Sequence, residues 1–406
     1  VGIATSEPKG PVYLTLPREV LAAPALPNDT PATSASRSAA GALSIPTAPA
    51  PDRSAVAQLA DRLAGAALPV IVSTASGADR DTVRSLVALC ERHGIGYAEE
   101  QARYLNFPAG HPLHLGYQLA PIFQEADALC FLECDVPWIP RDGAPRADAF
   151  VAHAGVDPAF ARYPMRSHRA DLSITTAAGV FIAALDEALA SLGKRVDPAR
   201  RERVASLATR LRGAAPRPAP DAPITRDAVA AALADTLDAD TIFFNEYWAP
   251  PAQLARTRPG SYFYLSPAGG LGWALPAALG AQLAAPDRTV VALIGDGAYL
   301  FANPAACHHV AARHSLPVLT VVYNNARWGA VDFATQSVYP NGHWRARRGP
   351  SLSELTPMPA LERYIEASGG FGARVATLAE LAPALHRARD VVRVERRQAL
   401  INVLGS

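Results

Sequence analysis

Two groups of residues between Leu279 and Asn325 have the types and spacing to hold a divalent metal and a diphosphate. The first is Gly295-Asp296-Gly297, at the end of a short, β-branched apolar run from Thr289 to Ile294. The second is Asn324-Asn325, just past a similar run from Leu316 to Tyr323. A carboxylate and an amide oxygen are hard donors that suit Mg²⁺, which favours octahedral oxygen ligation completed by phosphates and water. The two glycines let the backbone come close to an anion and turn N–H groups towards it. Alone, Gly-Asp-Gly is most often an ordinary turn, so the case rests on what brackets it.

These residues need a βαβ unit to position them. Both apolar runs have the composition of strands buried on both faces of a parallel sheet. Between them, Asn303-Pro304 offers an N-cap and a first-turn proline, and Ala305 to His314 is long enough for the crossover helix. Ligands of such units bind beyond the carboxyl ends of the strands, so Asp296 and Asn325 are expected to converge on one place.

The wider pattern is more specific. Leu279-Gly280, Pro286, Val291, Leu293, Gly295-Asp296-Gly297-Ala298 and the Asn pair together resemble the signature of the thiamine-diphosphate enzymes, the acetolactate synthase and benzoylformate decarboxylase group in particular. Upstream, Ala268 to Ala278 (AGGLGWALPAA) is similar to a second segment of that family. The resemblance implies that Asp296, the Asn325 side chain and the backbone carbonyl of Arg327 are Mg²⁺ ligands. It implies that Gly269, Gly270, Leu271, Gly295, Gly297 and Ala298 line the cofactor, with the Gly269 backbone at the aminopyrimidine. Leu271 would be the apolar wedge that keeps the cofactor bent, setting its 4′-imino nitrogen against the thiazolium C2–H. Asn245-Glu246-Tyr247-Trp248 matches the family's diphosphate loop in position, which makes Asn245 and Glu246 cofactor-binding candidates. Three departures stand out: Ala298 replaces the usual Ser, Trp248 and Ala249 replace hydroxyl residues, and the gap from Gly297 to Asn324 is longer than in common members.

The activity implied is thiamine-diphosphate- and Mg²⁺-dependent decarboxylation of a 2-oxo acid with carboligation, as in acetolactate synthases. The alternatives are a non-oxidative decarboxylase of the benzoylformate type and an inactive fragment or split subunit. Ala334 stands where acetohydroxyacid synthases commonly carry a Trp in the acceptor pocket, which weakens the first reading. Residues 327–350 are aromatic, polar and basic, like a cover over a site, and Trp328, Val331, His343 and Arg345 are the pocket candidates. His308, His309 and His314, on the crossover helix, read as packing or surface histidines.

At 406 residues, half of them apolar, the chain has material for more than one core. The expected class is α/β, with two three-layer domains on mostly parallel sheets. The Pro-, Ala-, Ser- and Thr-rich residues 22–51 and the segment 194–223 read as linkers. They separate a stretch 1–21, a central domain 52–193 and a diphosphate-binding domain 224–406. Within the central domain Pro69 to Ser73 and Ala128 to Leu132 read as strands and Thr82 to His93 as a helix with Val83, Leu86, Val87 and Cys90 on one face. Asp135 to Pro140 and Val156 to Met165 resemble the family's middle domain. Some relatives bind FAD there, but Thr74-Ala75-Ser76-Gly77 is poor in glycine, so FAD is not expected. Gly10 to Pro24 resembles the last strand and exit of the family's pyrimidine-binding domain. The glutamate that this domain supplies to the cofactor has no match here, so the catalytic group is unassigned and the chain alone is expected to be incomplete. By the same resemblance the complete enzyme is a homodimer or homotetramer.

A net charge of +1 gives no electrostatic case for nucleic acid or an anionic membrane. Cys90, Cys130, Cys134 and Cys307 show no metal spacing, and Cys130 and Cys134, flanking the end of a strand, read as small buried hydrophobes. No apolar run exceeds strand length, so no membrane span or signal peptide is expected, and the reading is a cytoplasmic enzyme.

Overall fold

The structure is a computed structural model that describes residues 2–24, 46–160, 168–212, 222–247, 249–265, 268–346 and 352–405. Its architecture is α/β, with two sheets whose strands are all parallel. The first sheet has the order β2-β1-β3-β4-β5, formed by β1 (Pro69–Ser73), β2 (Gly96–Glu99), β3 (Ala128–Leu132), β4 (Phe150–Gly155) and β5 (Leu172–Thr175). The second has the order β10-β11-β9-β8-β6-β7. It comprises β6 (Ile242–Glu246), β7 (Tyr262–Tyr264), β8 (Val290–Gly295), β9 (Leu319–Asn324), β10 (Phe371–Val375) and β11 (Ala399–Leu404).

The apolar runs form strands because only a strand covered on both faces can bury every side chain of β1 or β3. Parallel neighbours require crossovers, and helices supply them. Helix Arg53–Gly65 starts at Asp52, whose side chain accepts the Ala55 amide. Helix Arg80–His93 buries Thr82, Val83, Leu86, Leu89 and Cys90, and ends at Gly94 in the left-handed region (φ 64°). Cys130 and Cys134 are buried as expected. The first sheet has one continuous core; the second has a core on each face. The halves meet through Leu105, which joins the second half's core, and through the Tyr264 amide donating to the Arg103 carbonyl at 2.8 Å.

Several local expectations change. Helix Pro198–Arg212 lies inside the span read as a linker, and Val204, Leu207 and Ala208 tuck into the first core. Its apolar residues recur at helical spacing, but five arginines mask the periodicity. The rest of the linker reading, residues 25–45 and 213–221, lies outside the described residues, as do 161–167 of the Val156–Met165 segment. No strand forms at 11–17; Val12, Tyr13 and Leu14 are exposed, and among the described residues no strand pairs with them. Asn303 precedes its helix in the left-handed region (φ 53°) and makes no side-chain cap, whereas Pro304 does occupy the first turn. Among the described residues no helix is long and apolar enough to cross a membrane.

Candidate functional site

The switch point of the second sheet lies between β6 and β8: the chain leaves β6 outward to β7 and returns on the other side as β8. Glu246 ends β6, and Asp296 follows β8 as the first residue of helix Asp296–Phe301. Asn324 ends β9, next to Asn325. Three strand ends therefore bring the candidate residues to one edge.

Asp296 is buried, at 3% exposure. Its Oδ1 accepts the Gly297 amide at 2.8 Å, while Oδ2 has no hydrogen-bond partner. Burial pushes its carboxyl above the usual range, and the amides of Gly297, Ala326, Arg327 and Asn325 pull it back. The Asn pair's loop thus faces Asp296 through its backbone, although none of these amides reaches Oδ2 in bonding geometry. A buried carboxylate oxygen lacking a donor is destabilising by about 1–3 kcal/mol or more. A hard cation would relieve it, so the donor set fits a divalent metal.

The loop after β9 is held from several sides. Asn324 accepts the Ala326 amide at 3.1 Å and donates to Asn402 Oδ1 at 3.1 Å. Ala326 takes the left-handed region (φ 55°), and the Leu355 amide donates to its carbonyl at 2.8 Å. Asn325 is half-buried. The Arg327 carbonyl accepts the Gly329 amide at 2.9 Å and keeps one lone pair.

Glu246 braces the glycine-rich segment. Its Oε1 accepts the Gly272 amide at 2.6 Å and its Oε2 the Ala274 amide at 2.8 Å, at the start of helix Ala274–Ala284. Burial raises the pKa of Glu246 and these amides oppose it. Asn245 is fully buried and internally satisfied: Nδ2 donates to the Ala249 carbonyl at 2.8 Å and to the Tyr262 hydroxyl at 3.0 Å, and Oδ1 accepts the Tyr247 amide. Neither side chain is open to a ligand in this arrangement, and Trp248 lies outside the described residues. Spacing alone gives no hint of this bracing, because Gly272 and Ala274 are distant in sequence.

Gly269 (φ 64°) and Gly270 border open space, as does Gly295, and Leu271 is 45% exposed. Gly272 (φ 83°) and Gly297 are packed instead: a Cβ would meet the Ala302 backbone at Gly272 and the Trp328 ring at Gly297. The close approach at Gly297 is therefore an indole, not only a possible anion. Ala298 is buried behind it. Phe301 meets Trp328 edge-on at 6.1 Å. Of the other pocket candidates, Val331, His343 and Arg345 are exposed; residues 347–351 are outside the description. Helix Gly329–Val338 buries none of its residues. His309 and His314 are exposed, whereas His308 is buried.

A fully parallel α/β sheet with a carboxylate, an amide and open glycines at its strand ends has the architecture in which ligands bind beyond the carboxyl ends of the strands. Residues 246–403 match the family described as "Thiamine pyrophosphate enzyme, C-terminal TPP binding domain", and the chain's relatives include acetolactate synthases and a benzoylformate decarboxylase. Benzoylformate decarboxylase of Pseudomonas aeruginosa is 30% identical over 355 residues, covering 81% of this chain and 60% of the relative. A probable 2-ketoarginine decarboxylase of the same organism is 28% identical over 405 residues, covering 94% and 68%. An acetolactate synthase large subunit of Mycobacterium tuberculosis is 37% identical over 131 residues, 32% of this chain and 22% of the relative. Benzoylformate decarboxylase from Polynucleobacter necessarius shares the fold, with TM-score 0.73 at 20% identity, covering 99% of this chain and 72% of that one. The chain thus spans between about a fifth and two thirds of these curated relatives.

Proposed function

We propose that this chain carries the diphosphate-binding half of a thiamine-diphosphate- and Mg²⁺-dependent enzyme that decarboxylates a 2-oxo acid. One observation carries the reading: the buried, unpartnered Oδ2 of Asp296 facing the Asn325–Arg327 loop, inside the segment that matches the cofactor-binding family. Asp296, the Asn325 side chain and the Arg327 carbonyl would hold the metal and, through it, the diphosphate. Gly269 and Leu271, open to their surroundings, would meet the aminopyrimidine and support the bend. Glu246 would act indirectly, by fixing the Gly272 and Ala274 amides and so the position of Leu271. Bound thiamine diphosphate supplies the electron sink for cleaving the bond to the carboxylate.

Decarboxylation ending in proton transfer is favoured over carboligation, because the matches spanning most of this chain are to decarboxylases. Carboligation, the first expectation from sequence, stays as the second reading on the 37% identity to an acetolactate synthase across part of the chain. The exposed apolar residues beside the site, Leu271, Phe301, Val331 and Phe333, support a face that a pyrimidine-binding domain and a second copy would cover. We place the assembled enzyme in the cytoplasm as a homo-oligomer.

The test is product analysis. Incubated with thiamine diphosphate, Mg²⁺ and a 2-oxo acid, with a pyrimidine-binding domain fused or supplied in trans, the chain should release an aldehyde. A hydroxyketone would select the second reading. No turnover, together with no cofactor binding, would reject both.

A further inference from the structure

The short helix that begins with Asp296 is tied down by three side chains that the proposed reaction does not use. Tyr299, fully buried, lies one turn after Asp296 on that helix, and its hydroxyl is 2.8 Å from His308 Nε2. His308, 1% exposed, belongs to helix Pro304–Arg313, and its Nδ1 is 2.8 Å from Gln398 Oε1. Gln398, immediately before β11, donates Nε2 to the His308 carbonyl at 3.0 Å. The polarity is self-consistent. An amide whose Nε2 donates to a carbonyl offers Oε1 as acceptor, so His308 donates from Nδ1. A neutral ring then accepts at Nε2, and the Tyr299 hydroxyl is the donor. Burial favours this neutral form by pushing the His308 pKa down.

The helix Asp296–Phe301 has six residues, too few for stability of its own, so its orientation depends on such tethers. The other end of the same strand bears on the other proposed ligand loop, since Asn402 of β11 accepts from Asn324 Nδ2 at 3.1 Å. β11 is therefore a common reference for both sides of the site.

We infer that Tyr299 and His308 are positioning residues: the chain Tyr299–His308–Gln398 fixes the Asp296 helix against β11 and so sets the direction of the Asp296 carboxylate towards a metal. The inference rests on the reading of Asp296 as a metal ligand. Partners that orient ligands typically affect metal affinity by about 10–100-fold.

The experiment measures Mg²⁺-dependent thiamine diphosphate binding to the chain by calorimetry, with thermal melting of every variant alongside. Tyr299→Phe removes only the hydroxyl. His308→Asn keeps an amide near the Nδ1 position but cannot reach Tyr299, whereas His308→Gln places an acceptor near the Nε2 position. Tyr299→Phe and His308→Asn should each weaken binding about tenfold. His308→Gln, which regains the acceptor for Tyr299 but not the Nδ1 donor to Gln398, should bind measurably more tightly than His308→Asn, a partial rescue that a purely structural role would not produce. Parent-like binding by both Tyr299→Phe and His308→Asn would overturn the inference, as would His308→Gln binding as weakly as His308→Asn. Asp296→Ala separates the two ideas. If it abolishes binding while Tyr299→Phe and His308→Asn do not, positioning fails and the site reading stands; if it has no effect, both fail.

Discussion

The two sheets have the same all-parallel construction, each with one switch point, yet their crevices differ. In the first sheet the switch point lies between β1 and β3, and the chain closes it. Thr74 Oγ1 and Cys134 Sγ touch across it at 3.2 Å. Asn106 accepts the Gly77 amide at 2.8 Å and donates to the Thr74 carbonyl at 3.1 Å. A Cβ at Gly77 would collide with the Leu105 carbonyl, so no room remains at that turn. In the second sheet the corresponding edge keeps open space at Gly269, Gly270 and Gly295, beside an unpartnered Asp296 oxygen. The same topology is thus packed shut at one switch point and left open at the other. What separates them is whether open space borders the strand ends, since a Cβ at Gly77 would meet backbone whereas Gly269, Gly270 and Gly295 have room. Orphans occur in the first half too, at Tyr97, Ser76 and Glu99, and they are as buried as Asp296; what sets Asp296 apart is the open space at the glycines of its edge.

This contrast can be broken or sharpened in graded steps. Gly77→Ala forces a Cβ against backbone that cannot move aside, and should destabilise the protein by about 1–3 kcal/mol with no change in cofactor affinity. Chemical denaturation and calorimetry on one sample check both halves of that statement. Glu246→Ala should show the reverse balance. It leaves the Gly272 and Ala274 amides without their acceptor, with a stability change of about 1–3 kcal/mol at most and a clear loss of cofactor binding. Equal binding before and after would remove Glu246 from the account.

A third step uses pH. Burial and the nearby charges of Asp135 and Asp142 push Glu100, just after β2, up to about 7. Glu133, just after β3, is likewise pushed to about 7, by burial and Glu7. A folded-state pKa raised above the unfolded one gives stability that is complete below about pH 4.5 and lost as pH rises through about 7. Melting temperature should therefore fall between those values, and Glu100→Gln should flatten part of the fall. An unchanged slope would contradict the assignment. The smallest stability effect is expected at exposed Leu271: Leu271→Ala should shift stability by less than about 0.5 kcal/mol. In an assembled enzyme it should lower turnover more than cofactor affinity.

Much of this was legible in the sequence. Two strands of each sheet, β1, β3, β8 and β9, are read from short apolar runs, whereas the other seven described strands are not singled out; the placing of Asp296 and Asn325 at neighbouring strand ends follows from the rule about parallel sheets. The parts that were not legible depend on distance along the chain or on masking. The bracing by Glu246 joins residues 26 and 28 positions apart, and the His308–Gln398 bond spans 90. No local spacing encodes either. Helix Pro198–Arg212 was hidden by its arginines, one of which, Arg200, is buried and donates to backbone carbonyls of the first half. Asn303 has a favoured N-cap residue type, but the turn after Phe301 places it in the left-handed region, where its side chain does not cap. The resemblance at Gly10 to Pro24 suggested a strand, and a strand also needs a neighbour with which to pair.

The central claim is that the unpartnered carboxylate oxygen in the open crevice is a metal ligand, and cofactor titration tests it directly. Thiamine diphosphate is titrated by calorimetry into the parent chain, Asp296→Ala and Asn106→Ala, each with Mg²⁺ and with EDTA. The account predicts binding only with Mg²⁺, lost in Asp296→Ala and retained in Asn106→Ala, because no nearby group replaces a hard carboxylate ligand. Undiminished Mg²⁺-dependent binding by folded Asp296→Ala would contradict it.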